Sequence, residues 1–188
     1  MSKLAVFFPG IGYTIDKPLM HYSRRIAAGL GYEIKLLPYG GFPAKILGDR
    51  GRMEESARIA FEQAREMLAD INFESYDDIL FVGKSIGTIA AGRIASEEPV
   101  KDRIRLVLYT PLEETFSFDF GKAIVFTGSD DPWVGREKSR IGELAAERKY
   151  PCVLVPRANH SLESKDVGED ILNMQMIMNE TERFIREG

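Results

Sequence analysis

Residues 78–93, with the sequence DILFVGKSIGTIAAGR, constrain the fold of this chain more than any other stretch. An apolar run from Ile79 to Val82 is followed by Gly83-Lys84-Ser85-Ile86-Gly87 and then by a segment of small residues that favours a helix. A strand that reverses abruptly into a helix forces the central Ser into a strained backbone conformation, and only glycine fits two positions to either side. The spacing therefore predicts a buried strand, a sharp turn that projects the Ser85 hydroxyl, and a helix whose positive N-terminus lies beside it.

Short apolar runs alternate with amphipathic segments along the whole chain. The runs predict six strands, at residues 3–8, 33–37, 79–82, 103–109, 122–126 and 151–155. Helices are predicted at about residues 18–30, 52–69, 136–148 and 167–186, and from Thr88 onward. Strands that are apolar throughout are buried on both faces, and their alternation with helices favours a parallel sheet. The predicted fold class is α/β: a three-layer α/β/α sandwich with about six mainly parallel strands, in one domain spanning residues 1–188.

Composition narrows the classes of function. A net charge of −4 without a basic stripe argues against a nucleic-acid binder. No apolar window approaches the length of a membrane span, and the run at residues 3–8 is too short for a signal peptide, so a cytoplasmic location is expected. The single cysteine, Cys152, rules out an intramolecular disulfide and is predicted to be buried and inert.

Cofactor motifs are incomplete in this sequence. Asp78 stands where a P-loop ending in Gly83-Lys84-Ser85 would need its first glycine. Ile15 stands where a dinucleotide fingerprint starting at Gly10 would need its third. Two histidines and one cysteine, all widely separated, do not suit a zinc site. We expect no metal and no cofactor.

Residues suited to nucleophilic catalysis follow four of the predicted strands. Pro9-Gly10-Ile11-Gly12 follows the first, Ser85 the third, Gly128-Ser129-Asp130-Asp131-Pro132 the fifth and Asn159-His160-Ser161 the sixth. Ligands bind at the carboxyl ends of parallel strands, so we expect these segments to lie together. A serine hydroxyl needs an adjacent base, which a histidine can supply, and an aspartate can orient the imidazole. His21 lies within a predicted helix, so His160 is the candidate base, whereas Asp130 and Asp131 are both candidates for the acid.

The ordered set of G-x-S-x-G at residues 83–87, an aspartate after the fifth strand and His160 after the sixth resembles the α/β-hydrolase superfamily. The resemblance runs from the strand at Lys3 to the final helix. It implies a minimal form of that fold, which starts at the strand carrying the oxyanion loop. Only about a dozen residues, 110–121, separate the fourth and fifth strands, so the resemblance is to members without a lid.

The resemblance also implies roles for individual residues. Ser85 is the expected nucleophile and His160 the expected base. The family pattern G-x-x-D matches Gly128 and Asp131, with Val134 three residues further on, and favours Asp131 over Asp130 as the acid. The expected oxyanion donors are the backbone N–H groups of Ile86, directly after the nucleophile, and of Ile11 in the first loop.

The function implied is a serine hydrolase, of carboxylesterase or thioesterase type, that cleaves a small ester, thioester or amide through an acyl-enzyme. Tyr13 and Trp133 are predicted to line the substrate pocket because both lie in loops at strand carboxyl ends, and Lys84 is predicted to face solvent. The expected partner is a small-molecule substrate, with neither nucleic acid nor membrane, and the oligomeric state is left open.

Two alternative functions stay open. One is a slow or non-catalytic ligand-binding or sensor module on the same scaffold, and the other is an acyltransferase or lyase that uses the same site.

Overall fold

A computed structural model of the chain describes residues 1–134 and 140–187. Within these residues the strands are β1 (Lys3–Phe8), β2 (Glu33–Leu36), β3 (Asp78–Lys84), β4 (Ile104–Tyr109), β5 (Ala123–Gly128) and β6 (Cys152–Val155). The helices are α1 (Pro18–Gly29), α2 (Arg50–Met67), α3 (Ile86–Glu97), α4 (Arg140–Glu147) and α5 (Val167–Glu187). The start predicted for the fourth helix, near residue 136, lies outside the described residues.

The strands form one sheet in the order β2-β1-β3-β4-β5-β6, and every neighbouring pair is parallel. All six carboxyl ends therefore lie along the same edge of the sheet. The strand that leads into Ser85, β3, is central and lies between β1 and β4. This arrangement confirms the predicted three-layer α/β class.

Helices cover both faces of the sheet. Alternate side chains of β3 point to opposite faces: Ile79 and Phe81 pack in the core beneath α2, α3 and α4, and Leu80 and Val82 pack in the core beneath α1 and α5. Burying a side chain of this size stabilises the fold by about 1.5–3 kcal/mol. Lys84 is the next residue in the second series, so its side chain leaves the sheet on the α1 and α5 face.

The first residues of α1 and α2 favour the start of a helix. Pro18 is the first residue of α1, where its missing N–H costs nothing. The side chain of Asp49 accepts a hydrogen bond from the backbone N–H of Arg52 at 3.0 Å and caps α2. Because of this cap, α2 begins two residues before the start predicted from its apolar positions.

A buried ion pair ties the last helix to the other edge of the sheet, where the strands begin. Arg105 on β4 donates to both carboxylate oxygens of Asp78 on β3, at 2.8 and 2.9 Å. The same guanidinium donates to the carbonyls of Phe184 and Ile185 near the end of α5. The network thus joins β3, β4 and the end of α5.

The structure corrects the prediction for Cys152. This residue is exposed, because β6 is an edge strand and the sequence alone does not show which strand lies at the edge. No helix within residues 1–134 and 140–187 is long and apolar enough to cross a membrane. In the same two ranges, no three His, Cys, Asp or Glu side chains are grouped so that they could hold a metal ion.

Candidate active site

Ser85 occupies a strained turn between β3 and α3. Its backbone has φ 54° and ψ −123°, a conformation that non-glycine residues rarely adopt. The flanking glycines are required by close packing: a Cβ on Gly83 would lie 3.0 Å from the Cα of Thr88, and one on Gly87 would lie 2.6 Å from the carbonyl oxygen of Pro9. The turn places the Ser85 hydroxyl at the carboxyl edge of the sheet, next to the N-terminus of α3.

Three side chains from three loops form a continuous hydrogen-bonded chain. The Ser85 Oγ lies 2.7 Å from the Nε2 of His160. The Nδ1 of His160 lies 2.7 Å from the Oδ2 of Asp131. The side chain of Asp131 is fully buried, and its other oxygen accepts a hydrogen bond from the backbone N–H of Trp133 at 2.9 Å. With Nδ1 donating to the carboxylate, Nε2 is free to accept a proton from the serine.

The structure distinguishes the two neighbouring aspartates. Asp130 is exposed, and its carboxylate accepts a hydrogen bond from the Ser129 hydroxyl at 3.2 Å. Its backbone N–H donates to the carbonyl of Ala158 at 2.9 Å. Asp131 is thus the residue whose carboxylate reaches His160, while Asp130 helps to hold the loop.

The loops that carry Asp131 and His160 are packed directly against each other. A Cβ on Gly128 would lie 2.7 Å from the carbonyl oxygen of Asn159, so only glycine allows this approach. The hydroxyl of Thr110, at the end of β4, donates to the carbonyl of His160 at 3.1 Å. These contacts fix the imidazole relative to the carboxylate before any ligand binds.

The turn after β1 lies over the serine. Gly10 and Tyr13 exchange two backbone hydrogen bonds, of 3.1 and 3.2 Å, and Gly12 closes the turn with φ 70°. A Cβ on Gly10 would lie 3.3 Å from the Cβ of Ser85, so the turn contacts the nucleophile directly. Within the described residues, the N–H of Ile11 donates to no protein acceptor.

The backbone N–H of Ile86 is the first of α3 and has no partner within the helix. Ile86 and Ile11 therefore present two unused donors on the segments that meet at Ser85. This is the arrangement expected of a pair that binds a developing oxyanion.

Burial sets the charge state of His160. Loss of solvent lowers the pKa of the imidazole, the hydrogen bond to Asp131 opposes this effect, and the charge of Lys84 lowers the pKa further. The ring of Trp133 stacks on the imidazole, with centroids 5.2 Å apart and planes inclined by 28°, and restricts its contact with water. His160 is therefore held in its neutral form at neutral pH.

Lys84 is buried, contrary to the prediction that it faces solvent. Lys84 is 1% exposed, and its Nζ lies 5.0 Å from the centre of the Tyr13 ring. Burial lowers the pKa of the ammonium group to about 7, and the carboxylates of Asp131 and Glu163 oppose that shift. The alternation of Leu80, Val82 and Lys84 along a buried strand was the signal that could have indicated this position.

Tyr13 is also placed differently from the prediction. It is 6% exposed and packs in the core beneath α1 and α5. Its hydroxyl accepts a hydrogen bond from the backbone N–H of Leu19 at 3.1 Å. The expectation that Tyr13 lines an open pocket is corrected: its ring supports Lys84 and the turn above the serine.

Trp133, the other predicted pocket residue, lines a cavity of about 490 Å³, and its ring stacks on the imidazole of His160. The opposite wall comes from the segment before and within the start of α2, with Ile46, Leu47, Gly48, Asp49, Arg50 and Met53, and from Glu114 and Pro132. Trp133 and Met53 also pack against an apolar cluster of Ile86, Ile89 and Leu112. Sequence reasoning missed residues 46–53, because a Gly/Pro-rich loop carries no periodic pattern; the apolar pair Ile46-Leu47 within that loop was the available signal.

No family model and no curated protein matches the chain. Solved structures do match. An alpha-beta serine hydrolase homologue from Coxiella burnetii has a TM-score of 0.61 and 16% identity, covering 95% of this chain and 84% of that one. XC6422 from Xanthomonas campestris, described as an a/b serine hydrolase without lid, has a TM-score of 0.58 and 16% identity over 97% and 82%. Esterase PE8 has a TM-score of 0.67 and 15% identity over 99% and 92%.

At these identities the similarity concerns architecture. The matches span nearly the whole chain and most of each neighbour, and they support the three-layer architecture with its parallel sheet. With its strained serine turn at the centre of that sheet, the described part of this chain has the α/β-hydrolase fold.

Proposed function

We propose that this protein is a serine hydrolase that cleaves a small ester or thioester through an acyl-enzyme on Ser85. The observation that carries the proposal is the chain of two 2.7 Å hydrogen bonds from Ser85 through His160 to Asp131. A nucleophile hydrogen-bonded to a base, which is in turn hydrogen-bonded to a buried carboxylate, is the arrangement that activates a serine at neutral pH. The esterase and serine hydrolase among the structural neighbours support the same class of reaction.

Each step uses a group whose position has been described. The Ser85 Oγ attacks the substrate carbonyl while its proton passes to His160 Nε2. Asp131 stabilises the resulting imidazolium. The N–H groups of Ile86 and Ile11 bind the oxyanion of the tetrahedral intermediate. His160 then gives the proton to the departing alkoxide or thiolate, which leaves the acyl group on Ser85.

The second half of the reaction reverses the roles. A water molecule in the position of the departed group gives a proton to His160 as its oxygen attacks the acyl carbon. Collapse of this second intermediate releases the acid and returns the proton to Ser85. The cavity lined by Trp133 has space for the acyl or aromatic part of a small substrate, because Ile46, Leu47 and Met53 give it apolar walls.

Labelling with a fluorophosphonate probe, read by intact mass and peptide mapping, tests the proposal. Wild-type protein is expected to gain one adduct on Ser85, and Ser85→Ala and His160→Ala are expected to gain none. Ser161→Ala is the matched control, since it removes a neighbouring hydroxyl and keeps the backbone N–H that donates to Asn159. Failure of the wild type to label, or equal labelling of Ser85→Ala, would contradict the proposal. Product analysis with an added alcohol distinguishes hydrolysis from acyl transfer.

A further inference from the structure

Lys84 is a buried cation that the proposed reaction does not use directly. It directly precedes Ser85, and its stem packs beneath the turn after β1: a Cβ on Gly10 would lie 3.3 Å from the Lys84 Cγ. The ammonium group lies over the face of the Tyr13 ring. A lysine is almost never fully buried without a specific partner, so a position this close to the nucleophile calls for a functional explanation.

The groups around Lys84 come from four loops or strands. Tyr13 faces it from the turn after β1, and Tyr109 is its register partner on β4. Asp131, after β5, and Glu163, after β6, both act on it electrostatically. Both tyrosines stay neutral, because burial raises the pKa of each phenol.

His160 is the remaining titratable group near Lys84. The positive charge of Lys84 opposes protonation of His160, and the imidazole is already in contact with Ser85 and Asp131. Within the described part of the chain, the Lys84 side chain makes no hydrogen bond or ion pair, so no carboxylate neutralises its charge by direct contact. The charge therefore acts on the imidazole from a site with little solvent screening.

We propose that Lys84 is a positioning residue for the reaction of Ser85, whose buried ammonium group keeps His160 in the neutral form that can accept the serine proton. This inference rests on the proposed hydrolase function. The direction of the effect follows from simple electrostatics: a nearby positive charge disfavours a second one. Lys84 therefore extends activity toward acidic pH, and its influence fades as the ammonium group itself loses its proton at higher pH.

The test compares the pH dependence of Ser85 labelling in wild type, Lys84→Met, Lys84→Arg and Lys122→Met. Methionine matches the length of the lysine stem without its charge, arginine keeps the charge, and Lys122 is an exposed control. Lys84→Met is expected to label about three- to tenfold more slowly than wild type at pH 5.5, and at a rate within about twofold of it at pH 8.5. Lys84→Arg and Lys122→Met are expected to keep the wild-type acid limb.

A second readout does not depend on activity. The chemical shift of a His160 ring C–H proton is followed by NMR in a Ser85→Ala background. Its titration midpoint is expected to move to higher pH when Lys84→Met is added. Identical His160 titrations with and without the lysine would overturn the inference, even if the wild type labels normally. Absence of labelling in the wild type would instead contradict the proposed function, so the two failures are distinguishable.

Discussion

The carbonyl oxygen of Phe8 occupies the space in which a side chain on Gly87 would begin. Phe8 is the last residue of β1, and Gly87 is the second residue of α3. Their contact sets how closely the start of the helix approaches the turn at Gly10–Tyr13. Because Ile86 and Ile11 lie on these two segments, the same contact determines the spacing of the two candidate oxyanion donors.

Replacing Gly87 by alanine should therefore damage both stability and activity. The added methyl group would force β1 and α3 apart, and overpacking of this kind costs about 1–3 kcal/mol. Urea unfolding measures the stability, and the rate of fluorophosphonate labelling measures the activity. Gly142→Ala is the matched control: a Cβ there meets nothing within 4 Å, and the change should stabilise α4 by about 0.4–1 kcal/mol. A Gly87→Ala protein as stable and reactive as the wild type would contradict this account.

The two adjacent aspartates should respond very differently to neutralisation. Asp131→Asn leaves the shape of the buried side chain but removes the charge that stabilises the imidazolium and fixes its tautomer, so kcat should fall by roughly 10⁴-fold, as in other enzymes with this triad. Asp130→Asn changes an exposed side chain and should alter kcat by less than about threefold. Steady-state kinetics on one activated ester measures both, and similar losses in the two variants would argue against the assignment of Asp131.

The pH profile of the wild type should reflect the environment of His160. Burial lowers the pKa of this imidazole below the ordinary histidine value, which is about 6.5. Since only the neutral ring can accept the serine proton, kcat/KM should stay high as the pH falls through 6.5 and decline at lower pH. Measurements of kcat/KM between pH 4.5 and 8.5 check this directly. A half-maximal point above pH 7 would be inconsistent with a buried, neutral imidazole.

Burial of Lys84 should make stability depend on pH. The pKa of its ammonium group is about 7 in the folded chain, against 10.5 for an ordinary lysine. Between these values the unfolded chain binds more protons, so the free energy of unfolding should rise with pH across this interval. Lys84→Met removes the dependence and should be more stable than wild type by a few kcal/mol at pH 7 and below, with the gain vanishing near pH 10.5. Urea unfolding at several pH values tests this, and a gain that does not change with pH would contradict it.

The strands and their parallel arrangement follow from the sequence because most of the apolar runs are short, continuous and bounded by residues that break regular structure. The run before Ser85 is the clearest example: Ile79 to Val82 has no polar position, which only a strand covered on both faces tolerates. The common edge of parallel strands then brings Ser85, Asp131 and His160 within reach of one another. Their hydrogen-bonding distances come from the structure alone.

The order of the strands does not follow from such runs. Local patterns show that residues 152–155 form a strand, but its position beside β5 at the end of the sheet depends on how the helices cross over. Cys152 is exposed for that reason. The prediction for Lys84 was wrong in the other direction, since this residue is buried. A charged residue at the end of a strand usually points to solvent, but here the turn at Gly10 and the ring of Tyr13 cover it.

The site is divided between two parts of the chain. Ser85 and the donors at Ile11 and Ile86 belong to β1, β3 and α3, whereas Asp131 and His160 belong to the loops after β5 and β6, which are joined to each other through Gly128. Local opening of β5 and β6 would separate the Ser85 hydroxyl from its base, and the hydroxyl would then be unreactive. The rate at which a dilute acylating reagent modifies Ser85 therefore reports, in a single side chain, the fraction of molecules in which these last two strands are docked.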